Sequence, residues 1–349
     1  MMLESDLSTE AGFASPLDGR LAERADARGA VKSLPQMSGA RTPADNRKVG
    51  VEIEFGGLSA AEAQDIVQRE LGGDIHAQDD IDGPKPHVKN TRLGDVEVYL
   101  DSRYRTEVHG LGKALFSLAE PLIPVEIVTP PLAQSQLPQL DRLCSKLAEA
   151  GATGTQDGML NGFGVHLNVE VADMTADHIV PVLTAFALLD PVLRRSPGID
   201  VSRRVQPFIA PYPAALIDAL CEHPPQTMEA LCTLYLDHAA DRNHALDLLP
   251  LLADYAPDRV REALGEDDKT AARPAYHYRL PDCRLGQPGW SISQEWNRWA
   301  ELEQIARDTR LDQLIKAWQG RPRSEQLLDR EWAKHAAEVL NTAARGDAA

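Results

Sequence analysis

The sequence has few basic residues relative to acidic ones. Its 349 residues include 36 Lys and Arg against 53 Asp and Glu, which gives a formal charge of −17. A surface of that sign lacks the basic footprint of a general nucleic-acid-binding protein, and anionic lipid repels it. We therefore expect neither nucleic acid nor a membrane among the partners of this protein.

The sequence also lacks a long apolar run and any paired cysteine motif. A transmembrane helix needs about 18 or more apolar residues, whereas the most apolar stretch here, residues 179–193, is shorter and contains Asp190 and Pro191. The N-terminus starts with acidic residues instead of the basic residues of a signal peptide. The four cysteines are far apart and form no CxxC motif. We expect a cytoplasmic protein with reduced, mostly buried thiols.

Hydrophobic residues make up 43% of the chain, so a sizeable core can form and general disorder is excluded. Residues 1–47 are an exception, because they are rich in Ala, Ser, Asp, Arg and Pro and show no periodicity. We expect them to form a disordered N-terminal tail. One domain is predicted over residues 48–320, followed by a C-terminal helix and tail over residues 321–349.

Apolar and acidic side chains begin to alternate at Lys48. The period of two over residues 48–55 predicts a strand. The same alternation predicts three more strands, over residues 95–101, 125–129 and 164–171. Helices are predicted between them, over residues 60–71 and 137–150, and each is followed by glycine.

The pattern becomes helical over residues 175–270, where Leu and Ala recur at spacings of three and four. A long helix is predicted over residues 295–318 and a last one over residues 324–343. Strands with intervening helices, followed by a helical block, favour the α+β class. Because each strand has one polar and one apolar face, we expect a mainly antiparallel sheet with helices on one face.

Several predicted strands carry acids on their polar faces. Glu52 and Glu54 are two residues apart, so their side chains project to the same side, roughly 7 Å apart. Glu126 lies between two apolar residues on another strand. Close carboxylates repel each other unless a cation lies between them, and their oxygens suit Mg²⁺ or Mn²⁺. Glu97 and Asp101 share a face of a third strand. A solvated sheet face is the alternative, but three acidic strand faces in one domain favour a metal.

Other polar residues accompany these acids. His166 and Asn168 share the polar face of the strand over residues 164–171, either as structural hydrogen-bonding groups or as ligands. Later in the chain, Arg279, Arg284 and Arg298 lie near aromatic residues. In a protein of negative charge, such arginines are candidates for binding phosphate or another anion, and surface salt bridges are the alternative.

The motifs together resemble the amidoligase family, a branch of the glutamine synthetase-like carboxylate–amine ligases. The resemblance covers about residues 48–299. Its parts are GVEIEF over residues 50–55, VYLDS over residues 98–102, EIVTPPL over residues 126–132 and GFGVHLN over residues 162–168. The last of these is similar to the family's Gly-x-His-x-(His/Asn) strand, with Asn168 at its second polar position.

This resemblance implies a glutamine synthetase-like catalytic domain with a helical insertion over residues 175–270. The implied reaction forms an amide through an acyl phosphate, with ATP as co-substrate and Mg²⁺ or Mn²⁺ as cofactor. It also implies roles for particular residues. The implied metal ligands are Glu52, Glu54, Glu126 and Glu295; the ATP contacts are His166, Asn168 and Arg284; the catalytic residues are Glu54, Arg279 and Arg298.

The sequence leaves three other functions open. One is a nucleotide-binding or regulatory protein of the same fold without turnover, and another is a phosphotransferase like the guanidino kinases. The third is a structural protein that needs no metal. The carboxylate and amine substrates, small molecules or peptides, are also open, as is the oligomeric state. A glutamine amidotransferase that supplies ammonia is a candidate partner.

Overall fold

A nine-stranded sheet forms the centre of the computed structural model, which describes residues 30–76, 86–100, 124–155, 162–195, 209–265, 270–321 and 329–346. The strands are β1 (Lys48–Phe55), β2 (Asp74–His76), β3 (His87–Thr91), β4 (Gly94–Leu100), β5 (Val125–Val128), β6 (Leu132–Ala133), β7 (Val165–Glu170), β8 (Leu246–Asp247) and β9 (Ala275–Tyr278). Their order is β2-β3-β4-β5-β1-β7-β9-β8, with β6 beside β1, and the pairings between these strands are antiparallel.

Helices follow the strands and also occupy the second half of the chain. They are α1 (Ala60–Leu71), α2 (Leu137–Glu149), α3 (Ala176–Leu193), α4 (Ala214–Glu222), α5 (Met228–Ala239), α6 (Leu249–Tyr255), α7 (Pro257–Leu264), α8 (Ile292–Ile305), α9 (Thr309–Gly320) and α10 (Asp329–Gly346). The prediction of an α+β protein with a mainly antiparallel sheet is confirmed.

The helical layer packs on the apolar face of the sheet. In β1, Val51 and Ile53 on that face are fully buried. On β9, the ring of Tyr278 lies 5.9 Å from Phe186 of α3 and 5.3 Å from Trp299 of α8. Apolar residues therefore occur at every second strand position because one face of the sheet is buried against the helices.

The sequence predicted the bounds of α1 more accurately than those of the C-terminal helices. Ser59 caps α1 by accepting a hydrogen bond from the amide of Glu62, and the Glu62 carboxylate accepts a hydrogen bond from the Ser59 amide. The long helix predicted over residues 295–318 is instead two helices, because the Asp308 side chain accepts a bond from the Arg310 amide and starts α9. The predicted helical block over residues 175–270 also contains the short strand β8.

The apolar helix α3 lies inside the fold. It is long and apolar enough to be compared with a membrane span, but 83% of it is buried in the structure. It contacts α10, α8 and α9 as well as α4. These contacts are those of a core helix in a globular domain.

Residues 30–47 bond to α8 near both ends of the segment, so this part of the predicted disordered tail is ordered. The indole of Trp296 donates to the Lys32 carbonyl (2.8 Å), and the Lys32 amide donates to the Asn297 side chain (2.7 Å). Leu34 is buried in the core. The sequence did not reveal this, because polar side chains of a distant helix hold the segment. Residues 1–29 lie outside the described residues.

A buried ion pair joins the end of this segment to α8. The guanidinium of Arg47 donates two hydrogen bonds, of 2.6 and 2.7 Å, to the Glu303 carboxylate, and both side chains are almost fully buried. Arg47 also donates to the Glu170 carbonyl, while Trp299 donates to Glu303. Burial lowers the pKa of Arg47, but Glu303 outweighs this effect and raises it above the usual value.

The four cysteines are free and buried, as predicted. Burial raises the pKa of Cys144 well above its usual value and that of Cys221 to about 12. These two thiols therefore stay protonated at neutral pH and are poor nucleophiles.

Removing the Arg47 charge should strongly destabilise the fold. Arg47→Met leaves the Glu303 carboxylate buried without its main partner, so we expect a loss of about 3–5 kcal/mol in the free energy of unfolding. Lys146→Met is the control, because Lys146 pairs with Glu149 on the surface, where solvent screens the pair, and its loss should leave the free energy of unfolding nearly unchanged. Urea unfolding measures both, and equal losses would contradict the role of the buried pair.

Candidate active site on the polar face of the sheet

The polar face of the sheet gathers the acids of β1 with side chains from both neighbouring strands. Glu52 is the direct cross-strand partner of His166 on β7. Glu54 is the partner of Glu126 on β5, and Glu126 is in turn the partner of Tyr99 on β4. Cross-strand partners in an antiparallel pair lie about 4.5–5.5 Å apart at their Cα atoms. Five polar side chains, some predicted and some newly found, thus lie in two neighbouring cross-strand rows of the same sheet face.

Glu52 is held by two side chains of β7. Its carboxylate receives a hydrogen bond from Asn168 (2.8 Å) and lies 2.8 Å from Nδ1 of His166. Burial would raise the pKa of Glu52, but the bond to His166 and the electrostatic attraction of His166 and His277 outweigh it, with a further contribution from Asn168. The pKa of Glu52 is therefore well below its usual value, and the group is an anion at neutral pH.

Glu54 is buried beside the start of β7. Its Oε2 accepts a hydrogen bond from the amide of Gly164 (2.9 Å), and its Oε1 lies 3.8 Å from Nε2 of His166. Two carboxylates, those of Glu54 and Glu126, therefore lie on facing positions of adjacent strands. A cation bound between them would relieve their repulsion.

Tyr99 is a functional candidate that the sequence did not identify. Burial is the largest cause that raises its pKa far above the usual value, followed by the charges of Glu126 and Glu97 and by a hydrogen bond with Glu126. Its hydroxyl stays protonated and can donate to a carboxylate. An alternating strand pattern does not distinguish a functional tyrosine beside acids from an aromatic residue that only packs against its neighbours.

His277 on β9 is the second residue that the sequence missed. Its Nδ1 lies 3.4 Å from Oδ2 of Asp247 on β8, and Asp247 is fully buried. Desolvation lowers the pKa of His277 to about 4, although Asp247 and Glu52 oppose this shift. The ring is therefore neutral at pH 7, which leaves a nitrogen lone pair available.

Three of these residues form a group with the composition of a metal site. Glu52, His166 and His277 each offer a donor atom, and these atoms lie within 4.8 Å of one another. The rings of His166 and His277 meet edge to face with centroids 5.3 Å apart. Carboxylate and imidazole donors at this spacing fit a divalent cation.

Arginines lie next to the carboxylates. Arg273 donates through Nε to the side-chain oxygen of Asn168 (2.9 Å), which joins it to Glu52. Desolvation lowers the pKa of Arg273, opposed by the charges of Glu52 and Asp247. Arg279 follows β9, is mostly buried and donates to the Arg242 carbonyl. These guanidinium groups can balance the charge of a bound anion.

Glu295, Arg298 and Arg284 occupy different surroundings. Glu295 and Arg298 are buried on α8 and bond to each other at 2.7 and 2.8 Å. That helix contacts the apolar face of β9 through Trp299, so the structure does not bring this pair to the polar face. Arg284 is half-buried in the segment after β9, beside the close backbone approach of Gly154 to Cys283.

One of three comparisons with known proteins gives a match for this chain. A family model described as "putative amidoligase enzyme" matches residues 45–301. That range includes β1 and every residue of the polar face named above. Neither a comparison with curated proteins nor one with solved structures gives a significant match.

The depressed pKa of His277 predicts an acid-dependent loss of stability. Between about pH 6.5 and 4 the unfolded chain binds a proton at His277 whereas the folded chain does not, so the free energy of unfolding falls as the pH falls through this window. Between pH 7 and 5 the loss should be about 2 kcal/mol. Urea unfolding in a chelating buffer should show this component in the parent chain and lack it in His277→Gln.

His335→Gln is the control for this measurement, because His335 is exposed on α10. It should keep the pH dependence of the parent chain. Equal slopes for the parent chain and His277→Gln between pH 7 and 5 would contradict the assignment.

Proposed function

Because the chain belongs to the amidoligase family, whose model covers residues 45–301, we propose that it is an ATP-dependent carboxylate–amine ligase with a glutamine synthetase-like catalytic domain. The observation that carries the proposal is the convergence of Glu52, Glu54 and Glu126 with His166 on one polar sheet face. Amide formation from a carboxylate requires activation, because the carboxylate oxygen is a poor leaving group. Transfer of a phosphoryl group from ATP supplies that activation.

The acids of the central strands would hold the divalent cation of this reaction. Glu54 and Glu126 lie on facing positions, and Glu52 is an anion on the same face. A bound Mg²⁺ or Mn²⁺ supplies neutralisation of the negative charge on phosphate oxygens. Tyr99 holds Glu126 through a hydrogen bond and so limits the positions that this carboxylate can take.

His166 and Asn168 would orient the phosphates of ATP next to these acids. Both side chains lie 2.8 Å from the Glu52 carboxylate, which orients the imidazole ring and the amide group. Arg273 is joined to Asn168 and brings a positive charge to the same place. A phosphoryl group in transfer carries spreading negative charge, which preorganised donors of this kind stabilise.

Arg279 and Arg284 would bind the terminal phosphate or the substrate carboxylate. They follow β9 in a segment that runs beside the start of β7, because the Val165 amide bonds to the Pro281 carbonyl. Glu295 and Arg298 have no part in this proposal, since they pair with each other in the helical layer.

The reaction would proceed in two steps. An oxygen of the substrate carboxylate attacks the γ-phosphorus of ATP, the bond from that phosphorus to the bridging oxygen of ADP breaks, and an acyl phosphate forms. The nitrogen of an amine then attacks the acyl carbon, inorganic phosphate leaves with the bonding electrons, and the nitrogen loses a proton. The carboxylate and the amine are small molecules or peptides, and a cytoplasmic glutamine amidotransferase is a candidate source of ammonia.

Glu54→Gln should abolish ATP turnover with little effect on the fold. The glutamine oxygen can still accept the bond from the Gly164 amide, whereas the charge that faces Glu126 is lost. In the parent chain, ATP with Mg²⁺ at 100 times its dissociation constant should add about 2.7 kcal/mol of stability. Thermal melting should show this increase only with Mg²⁺ and should not show it in the variant.

Glu170→Gln is the matched control for Glu54→Gln. Glu170 lies on the same face of β7 as His166, but four residues further, roughly 13 Å along the strand. Its Oε2 accepts a hydrogen bond from the Lys48 amide at the far end of β1. This variant should keep both the Mg²⁺-dependent stabilisation by ATP and phosphate release.

Product analysis separates ligation from the other reactions of such a pocket. A ligase releases inorganic phosphate only when both a carboxylate and an amine are present, and it yields the amide. A stable phosphorylated product would indicate a phosphotransferase, and Mg²⁺-dependent ATP binding without phosphate release would indicate a regulatory protein. Absence of any stabilisation by ATP with Mg²⁺ would refute the nucleotide site itself.

A further inference from the structure

A cavity of about 550 Å³ lies beyond the end of β7, on the helical side of the sheet. It is lined by residues 36–39 of the N-terminal segment, by residues 173–178 at the start of α3, and by Arg307 between α8 and α9. Cavities that bind small molecules in proteins have volumes of about 300–1,000 Å³. None of the lining residues has a role in the proposed ligase reaction, so the cavity is a separate candidate site.

Arg307 brings a positive charge to this cavity that no carboxylate of the described residues binds. Its terminal nitrogens donate to the carbonyls of Asp177 (3.1 Å) and His178 (2.6 Å) and to the sulfur of Met37 (3.3 Å). These acceptors are uncharged, and the buried Nε has no hydrogen-bond partner in the same part of the chain. The nitrogen that bonds to Asp177 carries a second hydrogen. The guanidinium is thus held in place, and a bound carboxylate would supply its missing counter-charge.

Two aspartates that line the same cavity also lack a counter-charge. Asp173 accepts a hydrogen bond from the Met174 amide (2.9 Å), and Asp177 is exposed. Within the described ranges, neither carboxylate forms an ion pair. Arg307 bonds to the backbone of Asp177 but not to its carboxylate. The cavity therefore presents one positive group and two negative groups that do not neutralise one another.

From this lining we infer that the cavity binds a small zwitterion, a free α-amino acid or a short peptide. The carboxylate of the ligand bonds to Arg307, and its ammonium group bonds to Asp173 and Asp177. A simple anion would be repelled by the two aspartates and a simple cation by the arginine, so a ligand with both charges fits best. Met37 offers an apolar contact for the rest of the ligand. The inference does not depend on the proposed ligase reaction, because it involves neither ATP nor a metal.

The probes are the common L-amino acids and the dipeptides that place glycine before each of them. Each is added at millimolar concentration to the full chain without ATP or metal. A compound that binds only the folded protein raises its melting temperature, so we expect at least one probe to stabilise the protein. Comparison of the two sets shows whether a free amino acid or a peptide is preferred. Stabilisation by none of the probes would overturn the inference.

Analogues of the probe that binds most tightly test the two charges separately. N-acetylation removes its positive charge, and conversion of its carboxylate to an amide removes its negative charge. Each change should weaken binding by about 10–100-fold in isothermal titration calorimetry, because each removes a hydrogen bond between charged groups. An analogue that binds as tightly as the zwitterion would contradict the inference.

Substitutions in the cavity locate the bound zwitterion. Arg307→Met should weaken its binding by at least about 10-fold. Asp173→Asn combined with Asp177→Asn should do the same, and the first asparagine can still accept the bond from the Met174 amide. Asp312→Asn is the matched control and should leave the affinity unchanged, because Asp312 is exposed in the first turn of α9 as Asp177 is in that of α3. If Arg307→Met does not fold, the double aspartate variant decides.

Glu54→Gln separates this inference from the ligase proposal. The variant should bind the zwitterion as the parent chain does, although it should lose the Mg²⁺-dependent stabilisation by ATP. Zwitterion binding that is lost in Glu54→Gln and kept in the cavity variants would assign the ligand to the polar face and overturn the inference. Binding that is lost only in the cavity variants, in a chain that ATP with Mg²⁺ does not stabilise, would support the cavity site and refute the ligase.

Discussion

The carboxylate of Glu52 has to remain charged in a largely buried position, and the polar face of the sheet is arranged around this requirement. His166 and Asn168 on β7 contact the carboxylate directly. Arg273 then bonds to Asn168, so a network of polar contacts spreads outward from β1. The opposite face of the same strand is fully buried against helices. Because side chains in a strand alternate between faces, a shift of β1 by one residue would bury its acids in the core and expose its apolar residues.

Much of this arrangement could be predicted from local patterns. The period of two in β1, β5 and β7 identified the strands and assigned Glu52, Glu54 and Glu126 to a polar face. The capping box at Ser59 likewise made the start of α1 readable. Strand alternation and helix capping depend only on residues that are close in sequence, so the sequence alone is enough to predict them. Antiparallel pairing then brings the identified side chains together without further information.

The contacts that sequence analysis missed are long-range. Asp247 lies on a strand of only two residues within a helical block. Its contact with His277 depends on the antiparallel pairing of β8 with β9 and not on the residues that are next to either of them in sequence. The resemblance implied a common site for Glu295, Arg298 and Arg279. In the structure, Glu295 and Arg298 pair with each other on α8, which contacts the apolar face of β9 through Trp299. The ordering of the segment around Lys32 has the same origin, because distant polar side chains of α8 bond to its backbone.

The ion pair between Arg47 and Glu303 shows that the range matched by the family model is shorter than the range that folds together. The family match ends at residue 301, inside α8 and two residues before Glu303. It begins at residue 45, after Leu34 and the residues that bond to Asn297. A fragment cut at the limits of similarity would keep the whole polar face but would separate Arg47 from its counter-charge. The polar residues of the candidate site are therefore contained in a shorter stretch of chain than the one that must fold to support them.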